Sequence, residues 1–312
     1  MSDLATAPTV KRMPLRGPIA WWKDPWRKPH ILKAATWLYL VWSLAPVLIA
    51  VMFSFNNGRS RSSWQGFSTQ WYVGKNIPGG AYSVFASPVL RSALTQTLKL
   101  ATITTLVAVP LGVAFALGID RWHGRGSGTS NFSMLFSFVM PELVTGVALF
   151  FVFGQILKMV PPGTWQQALG LIAFQMSYPV IIVRARLLSI GRQYEEAAMD
   201  LGAKPTQSLR TVLMPLLYPA IFASVVLVFA DVIDDFVIVR ALGGPSTSET
   251  ISMKLYAGYR SAPTPAYNAL ATIMLVGTLT VMFIGLIAFG RAAKKREGKE
   301  GKDAIQAFAV GI

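Results

Sequence analysis

The stretch YEEAAMDLGAKPTQSLRTVLMP, Tyr194 to Pro215, is a polar, charged island between two long apolar runs. Its residues spell two short helices. Glu195 and Glu196 suit a helix start, where acids meet the positive end of the dipole. Gly202 suits a C-terminal stop, and Pro205 suits the first position of a second helix. In that second helix Leu209, Val212, Leu213 and Leu216 recur at i, i+3, i+4 and i+7 and make one apolar face. In the first, Ala197, Ala198 and Leu201 form a small, close-approach face beside exposed acids that include Asp200. A linker needs no such order. A compact helix fixed between two apolar runs has the shape to enter a groove on another protein.

The surroundings of the island define the fold class. Of 312 residues, 53% are hydrophobic and 14% charged, and the apolar residues come in blocks instead of on alternating faces. A bilayer-crossing helix needs roughly 20 mostly apolar residues. Six stretches qualify: Ala34–Phe55, Leu94–Ile119, Phe132–Leu157, Trp165–Leu187, Leu217–Val239 and Asn268–Gly290. The expectation is an all-α membrane protein of six transmembrane helices. It divides into a basic tail over 1–33, a membrane domain over 34–290 that carries the island at about 190–216, and a tail over 291–312.

The net charge is +15. With the N-terminus inside, and Arg184 and Arg186 counted with the connector after the fourth span, inside segments hold 20 of the 29 Lys and Arg and outside segments 8. That asymmetry follows the positive-inside rule and puts both termini in the cytoplasm. The basic flanks KRMPLRGPIAWWKDPWRKPH and RAAKKREGKEGK orient the chain and meet anionic lipid headgroups, so nucleic-acid binding is not needed to explain them. The chain has no cysteine, which excludes disulfides, thiolate nucleophiles and Cys-held metals. His30 and His123 lie far apart at membrane edges and do not make a metal site. The first span is too long for a cleavable signal and is read as permanent.

The longest outside loop, residues 56–91, is rich in Gly, Ser and aromatics. Trp64, Trp71 and Tyr72 fit an interfacial belt or a contact with a partner docking from outside, the belt being the simpler reading. Pro110, Pro141 and Pro179 fall inside spans two, three and four and invite kinks there. Gly112, Gly146 and Gly277 suit close helix contact.

Of 14 acidic residues, four lie inside the expected spans: Glu142, Asp231, Asp234 and Asp235. An acid at membrane depth costs about 2.5–3.5 kcal/mol on insertion scales and therefore faces a bundle interior or a wet path. The spacing 231, 234, 235 puts three on one helical stripe. Like charges that close repel unless a cation lies between them; internal pairing with Arg240 or Lys99, or protonation, is the alternative. The cluster suits a cationic solute better than an anionic one, and Phe236 and Tyr178 are candidates for cation–π contact with an amine.

The island resembles the EAA loop of ABC-importer permeases. Glu196-Ala197-Ala198 and Gly202 match its first half, while Val212 stands where Ile is usual and Met214-Pro215 where Leu-Pro is usual. Five blocks, SFNNGRSRSSWQGFSTQWY, MPELVTGVAL, EEAAMDLGA, DDFVIVRALGGP and NALATIML, resemble the spermidine/putrescine permease subfamily, and within it the second of two paired permeases. The resemblance implies the type I ABC importer permease fold in a bacterial inner membrane, with transport by alternating access. It implies that Glu195, Glu196, Ala197, Ala198, Asp200, Gly202 and Pro215 couple the chain to an ATPase. It implies a solute path at Glu142, Asp234 and Asp235; Asp231 is not clearly part of that pattern. The implied partners are a second permease, two ATP-binding subunits, an extracytoplasmic solute-binding protein and a polyamine.

No phosphate loop is present: the Gly-Lys pairs at 74–75, 298–299 and 301–302 lack the upstream glycine spacing and the following Ser or Thr. ATP and magnesium therefore belong to a separate subunit, and no cofactor is expected on this chain. A membrane-embedded enzyme would want a nucleophile with a base or a histidine–acid metal set. An ion-driven carrier acting alone would leave the island without a purpose. An importer for another solute, such as an amino acid, other organic cation, metal ion or anion, shares the island, which carries no solute information.

Overall fold

The computed structural model describes residues 30–60, 63–74, 77, 82–121, 128, 129, 132, 136, 138–261 and 264–310. The basic N-terminal tail, His123 and most of the connector around it lie outside these residues. The described chain is helical, with one isolated antiparallel bridge between Asn56 and Phe67. It divides at Ile49 and Ala50 into two units. The first contains most of helix α1 (His30–Phe53), an apolar helix of 24 residues.

The second unit continues through α2 (Gln70–Val73) and α3 (Pro88–Arg121) to α4 (Glu142–Phe151), which widens into a π-helical turn at Val152–Ile156. Helices α5 (Thr164–Gln175) and α6 (Ser177–Ile190) come next, then α7 (Gln193–Asp200) and α8 (Pro205–Ser208). A second π-helical turn, Leu209–Leu213, leads into α9 (Met214–Asp234), and the chain ends with α10 (Val237–Ala241), α11 (Ile251–Ser261) and α12 (Pro265–Val310).

Among the described residues, five helical stretches are long and apolar enough to cross a membrane: His30–Phe53, Pro88–Arg121, Thr164–Ile190, Pro205–Asp234 and Pro265–Ile287. The expected third span differs. Its described residues are 132, 136 and 138–157, and the apolar helix among them is the shorter Glu142–Ile156, because Pro141 adopts an extended ψ of 130° and a new helix starts after it. The fourth span is broken into α5 and α6, with Pro179 unable to donate to the carbonyl of Gln175. The fifth begins earlier than expected: the apolar face of Leu209, Val212, Leu213 and Leu216 belongs to one continuous run from Pro205 to Asp234. Its π turn precedes Pro215, which has no N–H for the Thr211 carbonyl, and there the Met214 N–H reaches back to Leu209 O. The last helix does not end at 290 but runs on to Val310.

Helices α3, α6 and α9 pack together around a core that includes Leu100, Val113, Val183, Leu213, Leu217 and Val228. Gly112 allows the approach of α3 to α6: a Cβ there would stand 2.5 Å from Pro179 Cγ and 2.9 Å from the Met176 carbonyl oxygen. Gly277, expected at a contact, has nothing within 4 Å of where a Cβ would be. A second cluster gathers Trp71, Ile77, Val84, Leu90, Ile251 and Leu270. Trp71 is therefore not part of an exposed belt: it is fully buried, and its Nε1 donates to the Asn56 carbonyl at 2.7 Å. Tyr72 is half-buried and its hydroxyl bonds Ser54 Oγ at 2.6 Å, while Trp64 stays 44% exposed.

Candidate functional site

The four acids meet at the end of α9, but not as one stripe. Helix α9 stops at Asp234, and Asp235 takes ψ of 125°. Asp231 and Asp234 share the last turn, whereas Asp235 belongs to the start of α10. Its Oδ1 accepts from the amides of Ile238 and Val239, both at 3.1 Å. Its amide donates to Asp231 O at 2.9 Å, and its carbonyl accepts from Ser252 Oγ at 2.6 Å. Asp235 is thus a buried cap that starts α10 and ties it to α11. Asp234 is exposed.

Glu142 arrives from another direction. It is the first residue of α4, where the helix dipole favours an acid. Helix α4 packs on α10 with Gly146 against Val237 and Ala241, which sets the two helix starts side by side. Tyr178 on α6 lies three residues beyond Gln175, whose amide bonds Asp231. The Tyr178 ring meets Phe138 at 5.8 Å and Phe174 at 6.4 Å, both edge-on.

Phe236, the other aromatic expected beside the acids, faces a different neighbour. It stacks on Tyr256 at 4.6 Å, and the Arg260 guanidinium lies 4.7 Å from the Tyr256 ring centroid. Among the described residues the acids form no ion pair with Arg240 or Lys99. Two unit charges 4 Å apart interact by about 4 kcal/mol at an effective dielectric of 20. Carboxylates gathered at the meeting of these helix ends therefore favour added positive charge, as a proton or as a cation. No group of His, Cys, Asp and Glu suited to a metal ion occurs among the described residues.

Several supporting residues carry no motif that marks them in the sequence. Gln167 is fully buried, and its Nε2 donates to Val239 O at 2.9 Å and Ser248 O at 3.1 Å. Gln96 Nε2 in turn donates to Gln167 Oε1 at 3.1 Å and Thr164 Oγ1 at 3.0 Å. This network pins α10, and with it the amides that hold Asp235. Gln175 Nε2 donates to Asp231 Oδ2 at 2.6 Å. The available signal was an amide inside an apolar span, which must find a partner there.

The island folds as a separate feature at the other end of α9. Glu195 and Glu196 occupy the first turn of α7. Gly202, at φ of +87°, ends it: the Gly202 amide donates to Met199 O at 2.9 Å and the Ala203 amide to Ala198 O at 3.0 Å. That pair of bonds is the Schellman stop, and Pro205 opens α8 as expected. Glu196, Ala197, Asp200 and Gly202 are exposed, Ala198 and Pro215 are half-buried, and Leu201 is 91% exposed. The base of α7 is fixed to α3. Arg121 pairs with Glu195, and Arg192 Nη2 donates to Asp120 O at 3.0 Å. Ser208 Oγ closes the loop on Glu195 O at 3.4 Å.

An apolar helical bundle with acids inside it, and a short helix held out from its end, defines the class of integral membrane transport subunits. Residues 108–293 match the family model described as binding-protein-dependent transport system inner membrane component, and the chain belongs to that family. It is 30% identical over 283 residues to the putrescine transport system permease protein PotI of Escherichia coli K12, an alignment covering 88% of this chain and 94% of that protein. It is 31% identical over 257 residues to the spermidine/putrescine transport system permease protein PotC of the same strain, covering 82% and 91%. In fold it resembles a chain of a bacterial ABC transporter involved in the import of the acidic polysaccharide alginate. There the TM-score is 0.64 at 16% identity, with 84% of this chain and 95% of that one covered. A chain of an amino acid ABC transporter matches with a TM-score of 0.54 at 20% identity, covering 67% and 96%. The fold is that of ABC importer permeases.

Proposed function

We propose that this chain is one of two paired permeases of an ATP-driven importer that carries polyamines into the cytoplasm by alternating access. The observation that carries the solute class is the gathering of Glu142, Asp231 and Asp235 where α4, the end of α9 and the start of α10 come together. Amines leaving water lose hydration, and buried carboxylates and aromatic faces offset that loss. The names of the relatives support the same solute class. The solute path runs past Glu142, Asp231, Asp234 and Asp235, with Asp235 also serving as the cap of α10.

Helix α7 is the coupling element. Its exposed residues Glu196, Ala197, Asp200, Leu201 and Gly202 dock into a cleft on an ATP-binding subunit, while Glu195 and Pro215 join that motion to α3 and α9. ATP and magnesium stay on two such subunits. A second, homologous permease and an extracytoplasmic binding protein complete the assembly. The membrane domain over 34–290 has six crossings, the third containing Glu142–Ile156, and both termini lie in the cytoplasm.

The test is uptake of labelled putrescine and spermidine into vesicles holding the complete complex. Uptake that requires ATP, the binding protein and this chain is expected. Transport of a different solute, with neither amine moved, would retire the polyamine reading and leave the importer reading in place.

A further inference from the structure

The last residue of α5 stands out in the acid cluster. Gln175 is fully buried, and one end of its amide is accounted for by the bond from Nε2 to Asp231 Oδ2. The reverse orientation would set two acceptors against each other, so the chemistry fixes which end is the donor. Its Oε1 is buried and has no hydrogen-bond partner. The main-chain carbonyl of the same residue also lacks its helical donor, because Pro179 sits four residues on and has no N–H. One oxygen of the residue thus has no donor, and the other lacks its i+4 donor, at the seam where α5 ends and α6 begins.

A buried acceptor without a donor is costly, and broken helices at membrane depth are where such oxygens meet ligands. We propose that Gln175 is a specificity-determining residue of the solute path, whose amide oxygen accepts an N–H from the ammonium group that Asp231 neutralises. Charge and hydrogen-bond donors are then read by different groups. The carboxylates read charge, and Gln175 reads whether the cation carries N–H. The oxygen is closed off in this conformation and is offered when the seam between α5 and α6 opens during the transport cycle. This rests on the polyamine reading.

The separation gives a direct test. Putrescine and its fully N-methylated bis-quaternary analogue carry the same charge, but the analogue has no N–H. In the complete wild-type complex in vesicles, putrescine is taken up at least about tenfold more efficiently than the analogue, measured as kcat/KM. In Gln175→Met, close in shape and without donor or acceptor, that preference falls to within about twofold. The fall comes from a higher KM for putrescine, while uptake of the analogue is preserved relative to it. Equal uptake of both amines by wild type would overturn the proposal without any variant. So would a variant that lowers both amines by the same factor, which marks Gln175 as merely holding Asp231. If wild type moves neither amine, the solute reading itself fails and takes this inference with it; normal putrescine uptake with an unchanged ratio overturns only the role of Gln175.

Discussion

Arg121, the last residue of α3, pairs with Glu195 in the first turn of α7, 74 residues further along the chain. The pair is partly exposed, with side chains 39% and 17% accessible. Such pairs contribute little to stability, about 0–1 kcal/mol. Its value on the proposed function is mechanical: it joins α7, the proposed coupling helix, to a span packed at the centre of the bundle. Arg121→Glu should leave unfolding temperature nearly unchanged while lowering transport per ATP hydrolysed. The double variant Arg121→Glu, Glu195→Arg should recover part of the loss. Measuring uptake and ATP hydrolysis in the same vesicles checks both.

Gly202 ends α7 at φ of +87°, and a Cβ there would meet nothing within 4 Å. Only the backbone conformation resists substitution, at about 1 kcal/mol for a residue such as Ala. Gly202→Ala should therefore insert and fold, yet tilt α7 and weaken co-purification of the ATP-binding subunit. Gly202→Asn, which tolerates this conformation better, should show the smaller defect.

Asp235 both caps α10 and adds a carboxylate to the acid cluster, and two substitutions separate the roles. Asp235→Asn keeps an oxygen for the Ile238 and Val239 amides, so thermal stability should hold while amine uptake falls. Asp235→Ala removes the cap as well and should cost about 0.5–2 kcal/mol, visible as a lower unfolding temperature of the detergent-solubilised protein.

Gly112→Leu should disrupt the contact of α3 with α6, since even the Cβ would stand 2.5 Å from Pro179 Cγ. Overpacking of this kind costs about 1–3 kcal/mol. A drop in unfolding temperature is expected, and Gly277→Leu, which meets nothing within 4 Å in this chain, should give none.

Punctuation was the most legible part of the sequence. Glu195, Gly202 and Pro205 act locally through dipole, left-handed backbone and a missing N–H, so residue type alone sets their positions in α7 and α8. The long apolar runs were equally plain. What failed to show was where a run breaks. The apolar runs continue past Pro141, Met176 and Asp235, yet helices end or separate at all three, because a proline at 141 or 179 and a capping carboxylate at 235 redirect the backbone in ways a hydropathy average does not record. The stripe of three aspartates dissolved for that reason. Gln175 and Gln167 were invisible as partners because their contacts, to Asp231 and to Val239 and Ser248, lie 56, 72 and 81 residues away.

The most direct test of the central claim is the KM for putrescine in ATP-driven uptake by the complete complex, comparing wild type with the double variant Glu142→Gln, Asp231→Asn. The substitutions keep shape and hydrogen bonding but remove two of the carboxylates of the acid cluster. A rise of at least about tenfold in KM, with the complex intact and still hydrolysing ATP, is expected, since each charged contact is worth about 1.5–3 kcal/mol. An unchanged KM would contradict a cation path through these carboxylates.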